Sequence, residues 1–150
     1  MPLPPLPASA ISLRAEAADW RQAVARAGEA LERSGATLAG YADRMVEVIT
    51  AYGAYVVVAP GLALVHARPG DDVLSEGIAV VTLAEPVSFG HPYNDPVSVV
   101  VAVASVSNDE HVTSVAELAN VFNDPQAVPR LAAATSVDEV SRLFAEGEAG

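Results

Sequence analysis

The sequence predicts an α/β (α+β) domain, a three-layer sandwich in which a mixed central sheet is flanked by helices on both faces. Three observations predict it. Segments with the apolar period of a helix lie at both ends of the chain, and β-branched apolar runs fill the middle. Turn residues, with no long linker, separate these segments. Helices before and after one block of strands can cover both of its faces.

Two helices are predicted at the start. Asp19 can cap a helix that runs to about Arg33 and stops at Gly35. Thr37 can cap a second helix that ends at Gly53. The apolar positions that recur every three or four residues are Trp20, Ala23, Val24, Ala27 and Leu31 in the first helix, and Leu38, Tyr41, Met45, Val48, Ile49 and Tyr52 in the second.

The middle of the chain predicts buried strands, because its runs are apolar and rich in β-branched residues. Pro60 and Gly61 form a turn between the first two strands, and a polar loop follows His66. The predicted strands are Ala54–Ala59, Leu62–His66, Gly77–Leu83 and Pro96–Ser105, with Val87–Phe89 as a short extended piece.

Three helices are predicted after the strands. The first begins behind a cap at Asn108 or Asp109, the second begins at Asp124-Pro125, and a capping box of Ser136 and Glu139 starts the third. The first runs from about His111 to Phe122 and the second to about Ala134; the positions predicted to face inward on the first are Val112, Val115, Leu118, Ala119 and Phe122.

Length and composition limit the function. A chain of 150 residues predicts a single domain over residues 11–150, behind a flexible Pro-rich arm at residues 1–10. The net charge of −11, with eight arginines and no lysine, argues against a nucleic-acid partner. Without Cys there is neither a disulfide nor a thiolate metal site. No signal peptide or apolar run long enough to span a bilayer is recognised, so a cytoplasmic location is predicted, without membrane insertion.

His66 is the first candidate for chemistry. It ends an apolar strand and precedes a polar loop, a position at a sheet edge that often carries functional residues. Neutral imidazole is a nucleophile near pH 7, and Arg68 is a fixed cation that could bind an anion. An ordinary structural role for this histidine is the alternative that the residues leave open.

Two further histidines have separate interpretations. His111 lies in the predicted first turn of a helix, where it either faces solvent or donates a hydrogen bond to a phosphoryl group on another histidine. His91 lies in a turn-rich loop, and we favour a structural role for it. A zinc site built from the three histidines is disfavoured, because neither HxH nor HxxxH spacing occurs. No metal and no cofactor are predicted, and the residues alone do not name a reaction.

The stretch Tyr52–Pro69, YGAYVVVAPGLALVHARP, resembles the active-site segment of the mannitol/fructose/ascorbate class of enzyme IIA domains of the bacterial sugar phosphotransferase system. Glu85–Val97, EPVSFGHPYNDPV, is similar to a second phrase of that family, and Asn108-Asp109-Glu110-His111 to a third. Ala18–Gly28 resembles its first helix. The resemblance covers about Ile11 to Phe144, and the phrase APGLA favours the ascorbate-type branch.

The resemblance implies a phosphocarrier in sugar uptake. His66 would accept a phosphoryl group from the phosphocarrier HPr, through Nε2, and pass it to an enzyme IIB component and so to the membrane enzyme IIC. His111 would be the neighbour that stabilises the phosphate, and Arg68 a phosphate-binding residue. The resemblance also allows a homodimer, and it implies no cofactor. The sugar stays undetermined, since a IIA domain does not touch it.

Two departures from the family pattern keep alternatives open. Val65 stands where the family usually has Pro, and Val48, with Ile49 beside it, stands where many members have Arg. The main alternative is a regulatory phosphorylation sensor that binds other proteins without feeding a transporter. A degenerate module that has lost phosphorylation is a weaker alternative, because both His66 and His111 are retained. A zinc enzyme is the weakest, because the spacing of the histidines does not suit a zinc site.

Overall fold

The computed structural model describes Pro4 and residues 6–149, and within them a mixed five-stranded sheet has the order β1-β4-β5-β3-β2. The strands are β1 Ile11–Ala15, β2 Val57–Ala59, β3 Leu62–His66, β4 Gly77–Val87 and β5 Val97–Ala104. The helices are α1 Trp20–Arg33, α2 Gly40–Tyr52, α3 Asn108–Val121, α4 Ala127–Ala133 and α5 Val137–Ala149. Two 3-10 turns, Ala8–Ala10 and Ala54–Val56, precede β1 and β2.

Strand direction brings three chain segments to one edge of the sheet, a term that here means the side formed by the ends of the strands and not an outer strand. β3 runs parallel to β5, with His66 beside Val103, and β4 runs antiparallel to β5, with Gly77 beside Ala104. The carboxyl ends of β3 and β5 therefore meet the beginning of β4. Side chains at this edge are exposed to solvent on one side and supported by the sheet on the other.

Two apolar cores, one on each face of the sheet, confirm the predicted three-layer sandwich. Residues of α1 and α2 pack with Val65, Val81 and Val100 on one face. Residues of α3, α4 and α5 pack with Leu62 and Val101 on the other. Each fully buried Val or Leu side chain stabilises the fold by about 1.5–3 kcal/mol relative to exposure. The alternation along β5 predicts which face each side chain occupies.

The strands differ from the prediction in three places. β1 was not predicted; it is a short edge strand interrupted at Arg14, whose φ is +52°. The predicted strand Ala54–Ala59 is wrong in its first half, because Gly53 leaves α2 with φ +86° and the next residues form a 3-10 turn. β4 continues to Val87, so the separate extended piece predicted there is largely part of this strand.

The start of α2 corrects the predicted cap. The residue before the helix is Ala39, which makes no side-chain cap. Thr37 instead forms an isolated antiparallel bridge with Val73. Leu38 precedes the helix and Tyr52 is its last residue, so both lie outside the buried stripe and are 52% and 72% exposed.

The inward face of α3 also differs from the prediction. Ser107, one residue before the predicted Asn108 or Asp109, is the cap, and its hydroxyl accepts from the N–H of Glu110. Val112, predicted to face inward, is 67% exposed. Ala119, predicted inward as well, is also exposed; the buried positions are Ser114, Leu118 and Val121. The buried face therefore includes Ser114. Since His111 lies three residues before Ser114 on the helix, its side chain is also on the side of the sheet.

The last two helices start close to their predicted positions. α4 begins at Ala127, after a turn that contains Pro125. The N–H of Glu139 donates to the hydroxyl of Ser136, which confirms half of the predicted capping box. The Glu139 carboxylate accepts from the hydroxyl of Thr135, and the reciprocal bond to the N–H of Ser136 is not seen among the described residues.

The N-terminal boundary stays a prediction. Ala8–Ala10, inside the proposed arm, form a 3-10 turn, and Ala10 is fully buried. Among the residues described, no helix combines the length and apolar character needed to cross a membrane.

Candidate functional site

His66 is the last residue of β3, at the edge where β5 ends and β4 begins. Its ring is partly buried, and its Nδ1 atom is inaccessible to solvent and has no hydrogen-bond partner among the described residues. Nε2 is therefore the ring nitrogen left for a reaction with an incoming group.

His111 lies next to His66. The two ring centroids are 4.4 Å apart and the ring planes are inclined by 44°. β5 ends close to His66, and the Ser107 cap turns the chain into α3, so the first turn of this helix stands over the end of β3. The structure thus brings together the two histidines that the sequence singled out.

The environment keeps His66 neutral. Burial lowers the pKa of His66 to about 4, with a further contribution from the neighbouring charge of protonated His111. Burial also lowers the pKa of His111, while the carboxylate of Glu76 acts in the opposite direction. At pH 7 His66 therefore has a free lone pair on one ring nitrogen, which is the form that attacks an electrophile.

An open depression beside His66 has an apolar wall and a cation at its rim. It is lined by Val48, Tyr52, Tyr55 and Arg68, together with His66 and Ala67. Arg68 is exposed, and its side chain forms no ion pair with another described residue. Val48 occupies the wall without supplying a charge, so Arg68 is the lining residue with a permanent positive charge.

Tyr41 of α2 anchors the backbone directly after His66, a role that its place in the apolar stripe did not predict. It is fully buried. Its hydroxyl accepts from the N–H of Ala67 at 2.9 Å and donates to the carbonyl oxygen of Val103 at 2.7 Å. One side chain thus joins the ends of β3 and β5. Burial raises the pKa of Tyr41, so the hydroxyl keeps its proton at neutral pH.

The Tyr41→Phe variant is expected to unfold at lower urea concentration, with a loss of about 1–3 kcal/mol, because a buried N–H and a buried carbonyl lose their partner. Equilibrium urea unfolding followed by circular dichroism measures this loss. Tyr93→Phe is the matched control, since Tyr93 is 87% exposed. Equal midpoints for both variants would show that the Tyr41 hydroxyl does not support the strand ends.

A second anchor holds the loop after His66. The guanidinium of Arg44 donates to both carboxylate oxygens of Asp72, at 2.8 and 2.6 Å, and to the carbonyl oxygen of Arg68 at 2.8 Å. These hydrogen bonds lower the pKa of Asp72. Asp72 therefore holds the polar loop that follows His66.

The third histidine is not part of this site. His91 lies in the loop between β4 and β5, at the opposite edge of the sheet. Its Nδ1 accepts from the N–H groups of Tyr93 and Asn94, which supports a structural role in that loop. In the described part of the chain, no group of three or more His, Cys, Asp or Glu residues is placed to hold a metal ion.

A family model matches residues 5–147; its description is "Phosphoenolpyruvate-dependent sugar phosphotransferase system, EIIA 2". The chain is also similar to the ascorbate-specific PTS system EIIA component of Shigella flexneri, with 34% identity over 135 residues, 89% of this chain and 88% of the relative. The protein of the same name from Escherichia coli K12 is 33% identical over the same shares.

Solved structures give the same grouping. The crystal structure of IIA mannitol from Escherichia coli has a TM-score of 0.82 and 31% identity, covering 93% of this chain and 99% of that chain. The complex of enzyme IIA mannitol with phosphorylated enzyme IIB mannitol, also from Escherichia coli, has a TM-score of 0.82 and 30% identity, over 95% of this chain and 98% of the other.

Proposed function

The chain belongs to the EIIA 2 family of the phosphoenolpyruvate-dependent sugar phosphotransferase system, and on this basis we propose that it carries the phosphoryl group on His66. The family resemblance predicted from the sequence is thereby confirmed, and so is the role as a phosphotransferase component of sugar uptake. The proposal concerns the acceptor residue, the groups that assist it, the partners and the sugar.

The observation that carries the proposal is the pair of histidine rings 4.4 Å apart at an open edge of the sheet, one of them kept neutral by burial. In the forward step the lone pair of Nε2 on His66 forms a bond to phosphorus, in line with the bond that breaks. The electron pair of that bond returns to the ring nitrogen of the phosphohistidine donor. The proton on Nδ1 of His66 stays in place, so no acid or base is needed.

The remaining groups of the site position the phosphoryl group and balance its charge, which is most of what catalysis of this reaction requires. His111 is close enough to His66 to donate an N–H to a phosphoryl oxygen. Arg68, at the rim of the depression, adds a permanent positive charge. Since Val48 replaces the arginine that many family members have, His111 and Arg68 take a larger share of this work.

The proposed partners are HPr as donor and an enzyme IIB component as acceptor, and through IIB the membrane enzyme IIC. Support comes from the similar IIA mannitol domain, whose solved complex contains phosphorylated IIB. Exposed apolar side chains surround the site, among them Tyr52, Tyr55 and Val112. Small contacts of this kind suit partners that must dissociate after each transfer. A cytoplasmic location follows from these partners, and a homodimer stays a separate prediction.

The proposed sugar is ascorbate. The similar proteins from Shigella flexneri and Escherichia coli K12 are both ascorbate-specific components, at 34% and 33% identity. The APGLA phrase before His66 and the replacement of arginine by Val48 favour the same branch.

Transfer of labelled phosphate from phosphoenolpyruvate, through purified enzyme I and HPr, tests the function. The protein is expected to take up one acid-labile, base-stable phosphoryl group, and to lose it faster to a IIB of the ascorbate type than to a IIB of the mannitol type. Absence of label with a cognate HPr would contradict the phosphocarrier role and favour a degenerate binding module. Label that no IIB removes would favour the regulatory sensor.

A further inference from the structure

Glu76 lies at the same edge and on the same face of the sheet as the two histidines, although no sequence pattern singled it out. It directly precedes β4, whose first residue, Gly77, is the partner of Ala104. By the alternation of strand side chains, Glu76 shares the face of Ile78, which packs in the α3–α5 core. His66 is the partner of Val103, another member of that core.

The Glu76 carboxylate joins this edge to the start of α3. Its Oε1 accepts from the N–H of Val106, at 2.5 Å, and Val106 directly precedes the Ser107 cap. Its Oε2 is buried and has no hydrogen-bond partner among the described residues. A buried carboxylate oxygen without a partner is costly, and a protonated ring close to it would offset that cost. Two further buried polar atoms without partners lie at the same edge, Nδ1 of His66 and Oγ of Ser105.

We propose that Glu76 is a positioning residue for phosphoryl transfer: it holds the first turn of α3 in place, and its carboxylate favours a proton on His111, against the effect of burial, while His66 carries the phosphoryl group. The inference rests on the proposed function. It assigns Glu76 no contact with the phosphoryl group; Glu76 acts through His111.

The charges around His111 support this assignment. Burial disfavours the protonated ring, and the Glu76 carboxylate favours it. The ring of His66, at the end of β3, faces His111, and Arg68 lies in the loop that follows β3. The first turn of α3 itself carries two acidic residues, Asp109 and Glu110. A protonated His111 donates a charge-assisted hydrogen bond to a phosphoryl oxygen, which is about twice as strong as a neutral one.

Glu76→Gln keeps an oxygen acceptor for the N–H of Val106 and removes only the charge. Titration of the histidine ring signals by NMR, on the unphosphorylated protein, is expected to show the pKa of His111 lowered by about half a unit to one unit. Asp71→Asn is the matched control, because it removes one exposed carboxylate from the same loop and leaves the pKa of His111 unchanged. An equal His111 pKa in Glu76→Gln and the parent would overturn the proposal.

Phosphoryl-transfer rates across pH separate this role from a purely structural one. Glu76→Gln is expected to accept phosphate several-fold more slowly at pH 7–8, and the deficit should shrink as the pH falls and His111 becomes protonated without help. Glu76→Asp, which keeps the charge, should recover part of the rate. In a His111→Gln background, Glu76→Gln should have no further effect.

The two proposals can fail independently. A parent protein that accepts label at the same rate as Glu76→Gln at every pH would remove Glu76 from the mechanism and leave the phosphocarrier in place. A parent protein that accepts no label would remove the function itself, whatever the titration shows.

Discussion

Replacement of His66 by glutamine is expected to lower phosphoryl acceptance by more than about a thousandfold, because loss of a nucleophile removes the covalent route entirely. A glutamine amide is similar in size and polarity but its nitrogen has no available lone pair. Since Nδ1 of His66 has no hydrogen-bond partner among the described residues, the substitution breaks no hydrogen bond seen there. The fold should therefore survive while the label disappears, in the phosphoenolpyruvate assay described above.

His91→Gln is the matched control for this experiment. It makes the same chemical change at the opposite edge of the sheet, and the glutamine oxygen can still accept from the N–H groups that Nδ1 of His91 serves. Normal labelling is expected. If the His66 variant kept its label while the His91 variant lost it, the phosphoryl acceptor would have been assigned to the wrong edge of the sheet.

Replacement of His111 by glutamine is expected to slow transfer by about 10- to 100-fold without abolishing it, the cost of one charge-assisted hydrogen bond to the transferring group. The nucleophile remains, so the final extent of labelling should approach that of the parent protein. Rapid-quench measurements at several concentrations of phosphorylated HPr would give kcat and KM separately. The loss should lie in kcat, since the proposed role of His111 is to stabilise the phosphoryl group after docking.

Asn120→Ala, at the exposed far end of the same helix, is the control and should react like the parent. A His111 variant with a raised KM and unchanged kcat would mean that this ring serves partner docking. Parent-like values of both constants would remove it from the site.

The sequence predicted the place of His66 in the fold, at the end of a strand, because the signal is local. The phrase around it lies within one strand and its loop, and an apolar run that ends on a histidine and a polar loop predicts a residue at a sheet edge. The three-layer architecture was predicted for a similar reason, since each helix and strand carries its own apolar period.

The rest of the site depends on contacts that no local pattern shows. Tyr41 reaches Ala67 across 26 positions, and Arg44 reaches Asp72 across 28. Periodicity predicted the inward face of α3 only in part: Leu118 is buried as predicted, but Val112 and Ala119 are exposed and the buried positions include a serine. The geometry that brings His111 to His66 is therefore a tertiary property, set by how the helix packs on the sheet.

The Tyr41 hydroxyl has a consequence for how partner proteins would recognise the phosphorylated and the unphosphorylated domain. Because this hydroxyl joins the backbone next to His66 to the neighbouring strand, His66 has a rigid backbone support, and its proposed phosphorylation should leave the shape of the domain almost unchanged. A donor and an acceptor that bind the same surface cannot distinguish the unphosphorylated domain from the phosphorylated one by its shape. We expect the negative charge of the phosphoryl group itself to set the direction of transfer. This charge would repel a phosphorylated donor and leave an unphosphorylated acceptor free to dock.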